Sequence, residues 1–380
     1  MFAALATLVG ALVSINYLVN PFGAWRINLI DPIFRNIDQS RLATPYKIRV
    51  ARPHTIVLGN SRVAVGMQIQ QLERDGVYNS AFMGGRLSEN ARLIELALDN
   101  PNLKRIIWQM DFVEFDQVFD DYIEPGTEAR LDHPWRTIIP DTLLSLGALD
   151  ESWRTLGAAL RGRSVLPAEC TIPVPWPVDF VEQAATHPTG LHLDAVPEAT
   201  ILEIVSRLAR GFRVYHESAK LPEVVRTTIH NANARGVEVI LFTPPLSEYE
   251  LETIWQTGRW ADFQRWKREL LRLGNYTDFS RFGAIARRDF LFNDVRHPKP
   301  CLGFLILRRL MGLDCRQSGR YGRMVDECGE LITPATAPRM LAIEDEQASD
   351  LAKAQTRYSK MVEEAMSAPV NPSFEDLVTR

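Results

Sequence analysis

The start of this chain carries no charge, since no Asp, Glu, Lys or Arg precedes Arg26. Residues 2–19 are almost entirely apolar, and crossing about 30 Å of hydrocarbon takes about 20 helical residues. The segment therefore predicts a transmembrane helix. A cleaved signal peptide is an alternative, although the segment has no basic start and no clear small-residue cleavage site. A buried core helix is the third interpretation, but such helices are rarely so long and charge-free at a terminus.

Cysteine is also scarce, and its spacing excludes the common metal-binding patterns. The four residues, Cys170, Cys301, Cys315 and Cys328, form no CxxC or similar motif. Disulfides outside the cytoplasm and free thiols both remain open. His133, beside Asp132, and His192, near Asp194, have no further ligand that the sequence identifies. The sequence therefore indicates no set of three metal ligands. We expect neither a metal nor a cofactor.

Basic residues show no excess over acidic ones. The chain has 43 Lys and Arg against 47 Asp and Glu, with a net charge of −4. A nucleic-acid partner therefore has no electrostatic support. The 380 residues accommodate one large domain with insertions, or two small ones. No internal repeat is visible.

Short apolar runs alternate with amphipathic stretches, a pattern typical of an α/β fold with a parallel sheet. The predicted strands cover residues 55–59, 77–82, 104–110 and 237–242. Ser88 is predicted to cap the helix after the second strand. The cluster of Trp255, Trp260, Phe263 and Trp266 has near-helical spacing and is predicted to pack on the sheet.

Three segments depart from this alternation. Residues 20–53 are punctuated by prolines and are predicted to form a stalk or lead-in. Residues 113–200 hold many prolines and tryptophans and indicate an insertion, as a cap over the active-site face. Within it, Trp135, Trp153 and Trp176 either stack on sugar faces or pack in the insertion's own core. Residues 316–380 are predicted to form a flexible or peripheral helical tail.

Reactive side chains in parallel sheets lie at the carboxyl ends of the strands. Ser61 follows the first predicted strand at a helix start, where backbone N–H groups can stabilise an oxyanion. The alternative is that Ser61 only caps that helix. Gly84 and Gly85 follow the second strand, where they allow close approach to a ligand or form an ordinary turn.

A carboxylate precedes an imidazole late in the chain, in Asp294-Val-Arg-His297. Such a carboxylate can orient the histidine as a general base toward a hydroxyl. Alone, the pattern is also compatible with two exposed surface residues without a function, or with half of a metal site. The order of Gly-x-Ser, a glycine turn and a late Asp-x-x-His favours the catalytic interpretation.

This order resembles the SGNH (GDSL-like) hydrolase superfamily, and within it membrane-anchored proteins related to bacterial polysaccharide O-acetylation factors. Residues 18–23, 56–62, 108–112, 260–267 and 276–280 carry the resemblance, which covers residues 1 to about 312. It implies a three-layer α/β/α flavodoxin-like SGNH fold with a parallel sheet, an insertion (cap) and an N-terminal transmembrane helix.

The same resemblance divides the chain into three parts. Residues 1–25 would be the transmembrane anchor with a short lead. Residues 26–315 would be the SGNH hydrolase-like domain, with the insertion at about 113–200. Residues 316–380 would be the tail.

The resemblance assigns a role to individual residues. Ser61 matches the nucleophile, His297 the general base and Asp294 the group that orients this base. Gly84, slightly preferred over Gly85, matches the glycine whose N–H forms the oxyanion hole together with the N–H of Ser61.

The third block of the family usually supplies an Asn, but Asp111 ends the corresponding strand here. An ionised carboxylate cannot donate to an oxyanion, which puts plain esterase activity in doubt. Asp111 is structural, or it binds Arg62, or it contacts a sugar hydroxyl. Asn60, Arg62 and Asp111 are the candidates for substrate contact.

The implied activity is acyl (acetyl) transfer to, or ester hydrolysis on, a cell-envelope or exported polysaccharide. The expected enzyme is a serine acyltransferase or esterase on the periplasmic side of the inner membrane, with a polysaccharide or acyl-ester substrate. A membrane-bound O-acyltransferase is the expected partner. One alternative is a catalytically silent glycan-binding or scaffolding partner of such an acyltransferase. Another is a cytoplasmic-facing membrane protein of unrelated function.

Overall fold

The computed structural model describes residues 2–35, 40–67, 69, 72, 75–124, 126–162, 193, 196–313 and 329–367. The chain has a mixed α/β fold with a mostly parallel six-stranded sheet. Its strands are β1 (Thr55–Leu58), β2 (Val77–Asn79), β3 (Arg105–Gln109), β4 (Glu238–Phe242), β5 (Tyr276–Asp278) and β6 (Glu330–Ile332). The order across the sheet is β2-β1-β3-β4-β5-β6.

The helices before β4 are α1 (Phe2–Val19), α2 (Ser40–Ala51), α3 (Ser61–Gly66), α4 (Leu87–Ala97), α5 (Glu128–Asp132), α6 (Pro134–Thr142), α7 (Leu146–Leu160), α8 (Glu198–Arg213) and α9 (Leu221–Ala234). Those after β4 are α10 (Glu248–Gln256), α11 (Trp260–Leu273), α12 (Pro300–Leu310), α13 (Ala337–Ala354) and α14 (Arg357–Ser367).

The four predicted strands are confirmed as β1 to β4. All four residues of β1 are buried, as a continuous apolar and β-branched run predicts for a strand covered on both faces. Val57 of β1 pairs in parallel with Asn79 of β2 and with Ile107 of β3. This register places the residues that follow β1 and β2 at the same edge of the sheet.

The prediction that Ser88 caps the helix after β2 is wrong. Arg86 occupies the N-cap position of α4, and Glu89 accepts a hydrogen bond from the Arg86 N–H at 3.1 Å. Ser88 lies inside the first turn, and its hydroxyl donates to the carbonyl oxygen of Tyr122 at 2.6 Å. A carboxylate near the positive end of the helix dipole has replaced the expected hydroxyl cap.

The chain folds as two compact units. The first comprises Met1–Gln109, Asp121–Pro177 and Glu223–Ile240. The second comprises Met110–Asp120, Val178–Pro222 and Leu241–Arg380.

In the first unit, α1 is long and apolar enough to cross a membrane, and most of its side chains are exposed. Its last turn is different, because Asn16 is fully buried. The Asn16 side-chain amide donates to the carbonyl oxygen of Leu143 at 3.0 Å and accepts from the Ser152 hydroxyl at 2.9 Å. The end of α1 is therefore built into the fold beside α7.

The prediction of a stalk after α1 is wrong for residues 20–25 and 40–51. Phe22, Ala24, Ala43, Tyr46 and Ala148 form a buried hydrophobic cluster, against which Trp25, Leu42 and Ile138 pack. The segment was hard to recognise because its apolar residues follow neither a helical nor a strand period.

The described part of the predicted insertion contains α5, α6 and α7 in the first unit, together with short helical turns. Trp135 and Trp153 are 60% and 57% exposed, so they do not pack in a core of the insertion. Trp176, His192 and Asp194 lie outside the described residues, as do Cys170, Cys315 and Cys328. Cys301 is buried in α12.

In the second unit, the predicted aromatic cluster is largely buried. Trp260, Phe263 and Trp266 on α11 are at most 9% exposed, and Trp255 contacts Trp260 edge to face with ring centroids 5.6 Å apart. Phe112 packs against this cluster, 5.3 Å from the centroid of the Phe263 ring.

The helical character predicted for the tail is confirmed by α13 and α14, but its flexible or peripheral position is wrong for residues 330–367. β6 pairs antiparallel with β5, and Glu344 of α13 is 1% exposed. Lys267 of α11 donates to Glu344 and to Asp278 of β5, each at 2.7 Å. The polar sequence misled because one of its acidic residues, Glu344, accepts a hydrogen bond from a buried cation instead of facing solvent.

The ammonium group of Lys267 lies between the carboxyl groups of Asp278 and Glu344, and all three side chains are buried. Burial raises the pKa of Glu344, and the charge of Asp278 acts in the same direction. Both effects favour the protonated form of this carboxyl group.

Replacing Lys267 with Met would leave these two carboxyl groups without their cation. We expect the free energy of unfolding to fall by about 3–5 kcal/mol, measured by urea unfolding of the detergent-solubilised full chain. Lys353→Met is the matched control, because Lys353 is exposed on α13 and should change the stability by less than about 0.5 kcal/mol. Equal stability of the two variants would contradict the assigned role of Lys267.

Candidate active site

Ser61 is the first residue of α3 and directly follows the turn after β1. The helix cap is Asn60, whose side-chain oxygen accepts from the Arg62 N–H at 3.0 Å. The alternative interpretation of Ser61 as a cap is therefore wrong. Ser61 is partly exposed, whereas Asn60 and Arg62 are buried on either side of it.

Gly59 allows this turn to lie against β3. A Cβ atom at residue 59 would overlap Gln109 Oε1 and come within 2.7 Å of Val63 Cγ2. In the space left by the glycine, Gln109 Oε1 accepts the Asn60 N–H at 3.1 Å. Sequence reasoning assigned no role to Gln109, although a polar residue ending the apolar run of β3 was a usable signal.

The glycine turn after β2 abuts the turn that carries Ser61. An ideal Cβ on Gly85 would lie 2.8 Å from the Gly59 carbonyl oxygen, so the two backbones touch. Gly84 has a φ of +67°, which favours glycine. The Gly85 N–H donates to the carbonyl oxygen of Phe82 at 3.0 Å. Of the two predicted oxyanion donors, Gly84 is the better candidate because the N–H of Gly85 is engaged in the turn.

Polar side chains hold both turns in place. Asn79 at the end of β2 donates to the carbonyl oxygens of Val63 and Met67, at 3.0 and 2.7 Å, and so fixes α3. Arg41 of α2 donates to the carbonyl oxygen of Met83 at 2.9 Å, immediately before Gly84. Arg41 also pairs with Glu89 of α4. Nothing in the sequence pattern identified Arg41, since it lies in the segment predicted as a stalk.

Asp294 and His297 come together in the second unit. Residues 292–298 form a tight loop, closed by the Asn293 N–H donating to the His297 carbonyl oxygen at 2.8 Å. Asp294 Oδ1 accepts from the N–H groups of Arg296 and His297, at 2.7 and 3.0 Å. His297 Nδ1 lies 2.8 Å from Asp294 Oδ2.

The Asp294 carboxylate is suited to orient the imidazole. Burial opposes its ionisation, but hydrogen bonds from His297 and from two backbone N–H groups lower the pKa of Asp294 to about 2. An ionised carboxylate at Nδ1 favours the tautomer with the proton on Nδ1. Nε2 then carries the lone pair that a general base needs.

The predicted site residues thus divide between the two units. Ser61, Gly84, Gly85, Asn60 and Arg62 belong to the first, whereas Asp111, Asp294 and His297 belong to the second.

The burial of Arg62 and Asp111 bears on the predicted substrate contacts. Arg62 is 2% exposed and Asp111 is 1% exposed, which favours a structural role for each of them. Asn60 has the capping role described above.

We also compared the site with metal-binding arrangements and the chain with known proteins. Within the described residues, no group of three or more His, Cys, Asp or Glu side chains is arranged to hold a metal ion. No protein-family model matches the chain, and no curated protein matches its sequence.

The close packing of Gly59 can be tested directly. Gly59→Ala is expected to lower the free energy of unfolding by about 1–3 kcal/mol, because the new methyl group overpacks the turn. Gly211→Ala is the matched control, since no atom lies within 4 Å of its added Cβ in α8. The control should gain up to about 1 kcal/mol in urea unfolding. A Gly59→Ala protein as stable as the wild type would contradict the packing.

Proposed function

We propose that the chain is a membrane-anchored serine acyltransferase or esterase with Ser61 as nucleophile, His297 as general base and Asp294 as the residue that orients the base. The substrate would be an acetyl ester, and the acceptor a cell-envelope or exported polysaccharide. The observation that carries the proposal is the Asp294–His297 pair, 2.8 Å apart, with a carboxylate that stays ionised.

The strand order supports the proposed fold. The first five strands follow the order β2-β1-β3-β4-β5, which is the order of flavodoxin-like doubly wound sheets. We therefore propose that the domain is a three-layer α/β/α SGNH fold, with residues 113–200 as its insertion. The position of Ser61 after β1, at a strand's carboxyl end, fits this proposal.

The proposed reaction has two acyl-transfer steps. Ser61 Oγ attacks the ester carbonyl carbon while His297 Nε2 takes the hydroxyl proton, and a tetrahedral oxyanion forms. The C–O bond to the leaving alcohol breaks as His297 returns the proton to that alcohol. A sugar hydroxyl or water then attacks the acyl-Ser61 ester, with His297 again accepting and returning the proton. The reaction requires Ser61 Oγ and His297 Nε2 to come within hydrogen-bond reach.

The oxyanion would be stabilised by the backbone N–H groups of Ser61 and Gly84. The contact between the Gly59 and Gly85 backbones supports this pairing, because it keeps the two turns adjacent. A preorganised donor of this kind contributes about 3–4 kcal/mol of transition-state stabilisation.

We further propose that α1 is a retained anchor that holds the catalytic domain on the periplasmic side of the inner membrane. The burial of Asn16 supports retention over cleavage, because removal of α1 would leave its hydrogen-bonding partners in α7 and the preceding loop exposed. The Asn20 side chain also donates to the carbonyl oxygens of Trp25 and Ile27, at 2.8 and 2.7 Å.

A catalytically silent glycan-binding or scaffolding partner of a membrane-bound O-acyltransferase is the second candidate function. Asp111 favours it, because a buried carboxyl group stands where the family places an Asn donor. Without that donor the oxyanion is less stabilised, which fits a protein that binds glycan but does not turn it over.

Ser61→Ala separates the two candidates. We expect turnover of p-nitrophenyl acetate, or of an acetylated glycan, to fall at least about a thousandfold, because the nucleophile is removed. Ser88→Ala is the matched control, since Ser88 also lies in the first turn of a helix that follows a strand. Unchanged turnover in Ser61→Ala would exclude Ser61 as the nucleophile, and a wild-type protein without turnover would favour the silent partner.

Asp294→Asn tests the orientation of the base. The amide cannot hold the same imidazole tautomer, so we expect kcat to fall about a thousandfold or more with little change in KM. In addition, the stability of Asp294→Asn should depend less on pH in the acidic range than the stability of the wild type. With a folded-state pKa of about 2, Asp294 stabilises the fold above its ordinary pKa and loses this effect as the pH falls toward 2. Asp350→Asn, on the exposed side of α13, should leave kcat unchanged.

A further inference from the structure

The helices α6 and α7 and the loop between them expose large apolar side chains. Six of them are strongly exposed: Trp135 (60%), Ile139 (50%), Leu144 (47%), Leu146 (74%), Trp153 (57%) and Leu160 (80%). We call these six residues the α6–α7 face. Large apolar side chains exposed in this number within one short segment are typical of a surface that is covered in the working protein.

The exposed side of α7 carries large apolar side chains together with the Asp150–Arg154 ion pair. Leu146, Trp153 and Leu160 recur every seven residues, which places them in one line along the helix. The buried residues of α7 are small or polar, namely Ala148, Glu151, Ser152, Thr155 and Ala158. A helix on a soluble protein buries its large apolar residues and exposes the polar ones. A line of exposed large apolar side chains is typical of a helix that contacts an apolar medium.

The position of α1 identifies this medium. An 18-residue helix is about 27 Å long, close to the thickness of the hydrocarbon core of a bilayer. The last turn of α1 therefore reaches the boundary between hydrocarbon and headgroups. Asn16 in that turn bonds the carbonyl oxygen of Leu143, directly beside Leu144. The loop between α6 and α7 must lie at the same depth.

The side chains around this loop suit that boundary. Tryptophan is enriched at the level of the lipid headgroups, where its ring is buried and its N–H stays polar. Arg136 is exposed and lies 4.6 Å from the centre of the Trp135 ring. Arg154 is exposed next to Trp153 and pairs with Asp150 at 2.9 Å. Long basic side chains at this level extend toward the headgroups.

We infer that the α6–α7 face lies against the lipid surface, with its apolar side chains in the upper part of the acyl chains. This inference rests on the proposal that α1 is a retained anchor. It adds a second, lateral membrane contact to the single span, and it fixes the orientation of the first unit relative to the bilayer.

Quenching of tryptophan fluorescence by brominated lipids tests the inference. The full chain is reconstituted into phosphatidylcholine–phosphatidylglycerol vesicles whose acyl chains carry bromine near the headgroups. We expect wild-type emission to be quenched relative to unbrominated vesicles. The variant Trp135→Phe/Trp153→Phe should lose most of this quenching, because the two exposed indoles of the described residues are gone. Trp255→Phe, in the second unit, should retain the wild-type quenching.

Two further measurements separate the possible failures. If the wild type does not float with the vesicles after an alkaline wash, both the anchor and the lipid contact are wrong. If it floats but the double variant keeps the full quenching, only the lipid contact is wrong. Quenching of Trp135 and Trp153 by aqueous acrylamide instead of lipid would place the face in water. Protection from both quenchers would indicate a protein cover and would also overturn the inference.

Discussion

A side chain at residue 59 would overlap Gln109, and the first half of the candidate site depends on this steric constraint. Because Gly59 has none, the Gln109 amide oxygen reaches the Asn60 N–H, and Asn60 is held where it can cap α3. The Gly59 carbonyl oxygen also forms the surface on which Gly85 packs. Because neither Gly59 nor Gly85 has a side chain, the Ser61 turn and the turn of the proposed oxyanion donor lie in contact.

The sequence was informative where local pattern and burial coincide. The runs that became β1 to β4 are apolar, short and bounded by turn residues, and their parallel pairing follows from the helices between them. β5 and β6 were missed because three-residue strands are too short to show a period. The tail was misjudged for another reason, since the burial of Glu344 depends on Lys267, 77 residues earlier.

The candidate site shows the same division between local and distant contacts. The pairing of Asp294 with His297 could be predicted because both residues lie in one short loop. The contacts of Arg41 and Gln109 could not, since each acts on a turn from a remote part of the chain, although the polar side chain at the end of β3 marked Gln109 itself. The partnership between Ser61 and His297 is a proposal that links residues of different units, and no local pattern can establish it.

The buried cluster around Lys267 also constrains the order in which the chain can fold during synthesis. Lys267 and Asp278 emerge from the ribosome well before Glu344, which is the second carboxyl partner of Lys267. Until α13 follows, the surface of α11 that Glu344 covers is open to water. The burial of Lys267 by Glu344 therefore waits for the synthesis of α13, whereas the residues of the Asp294–His297 loop have been synthesised by then.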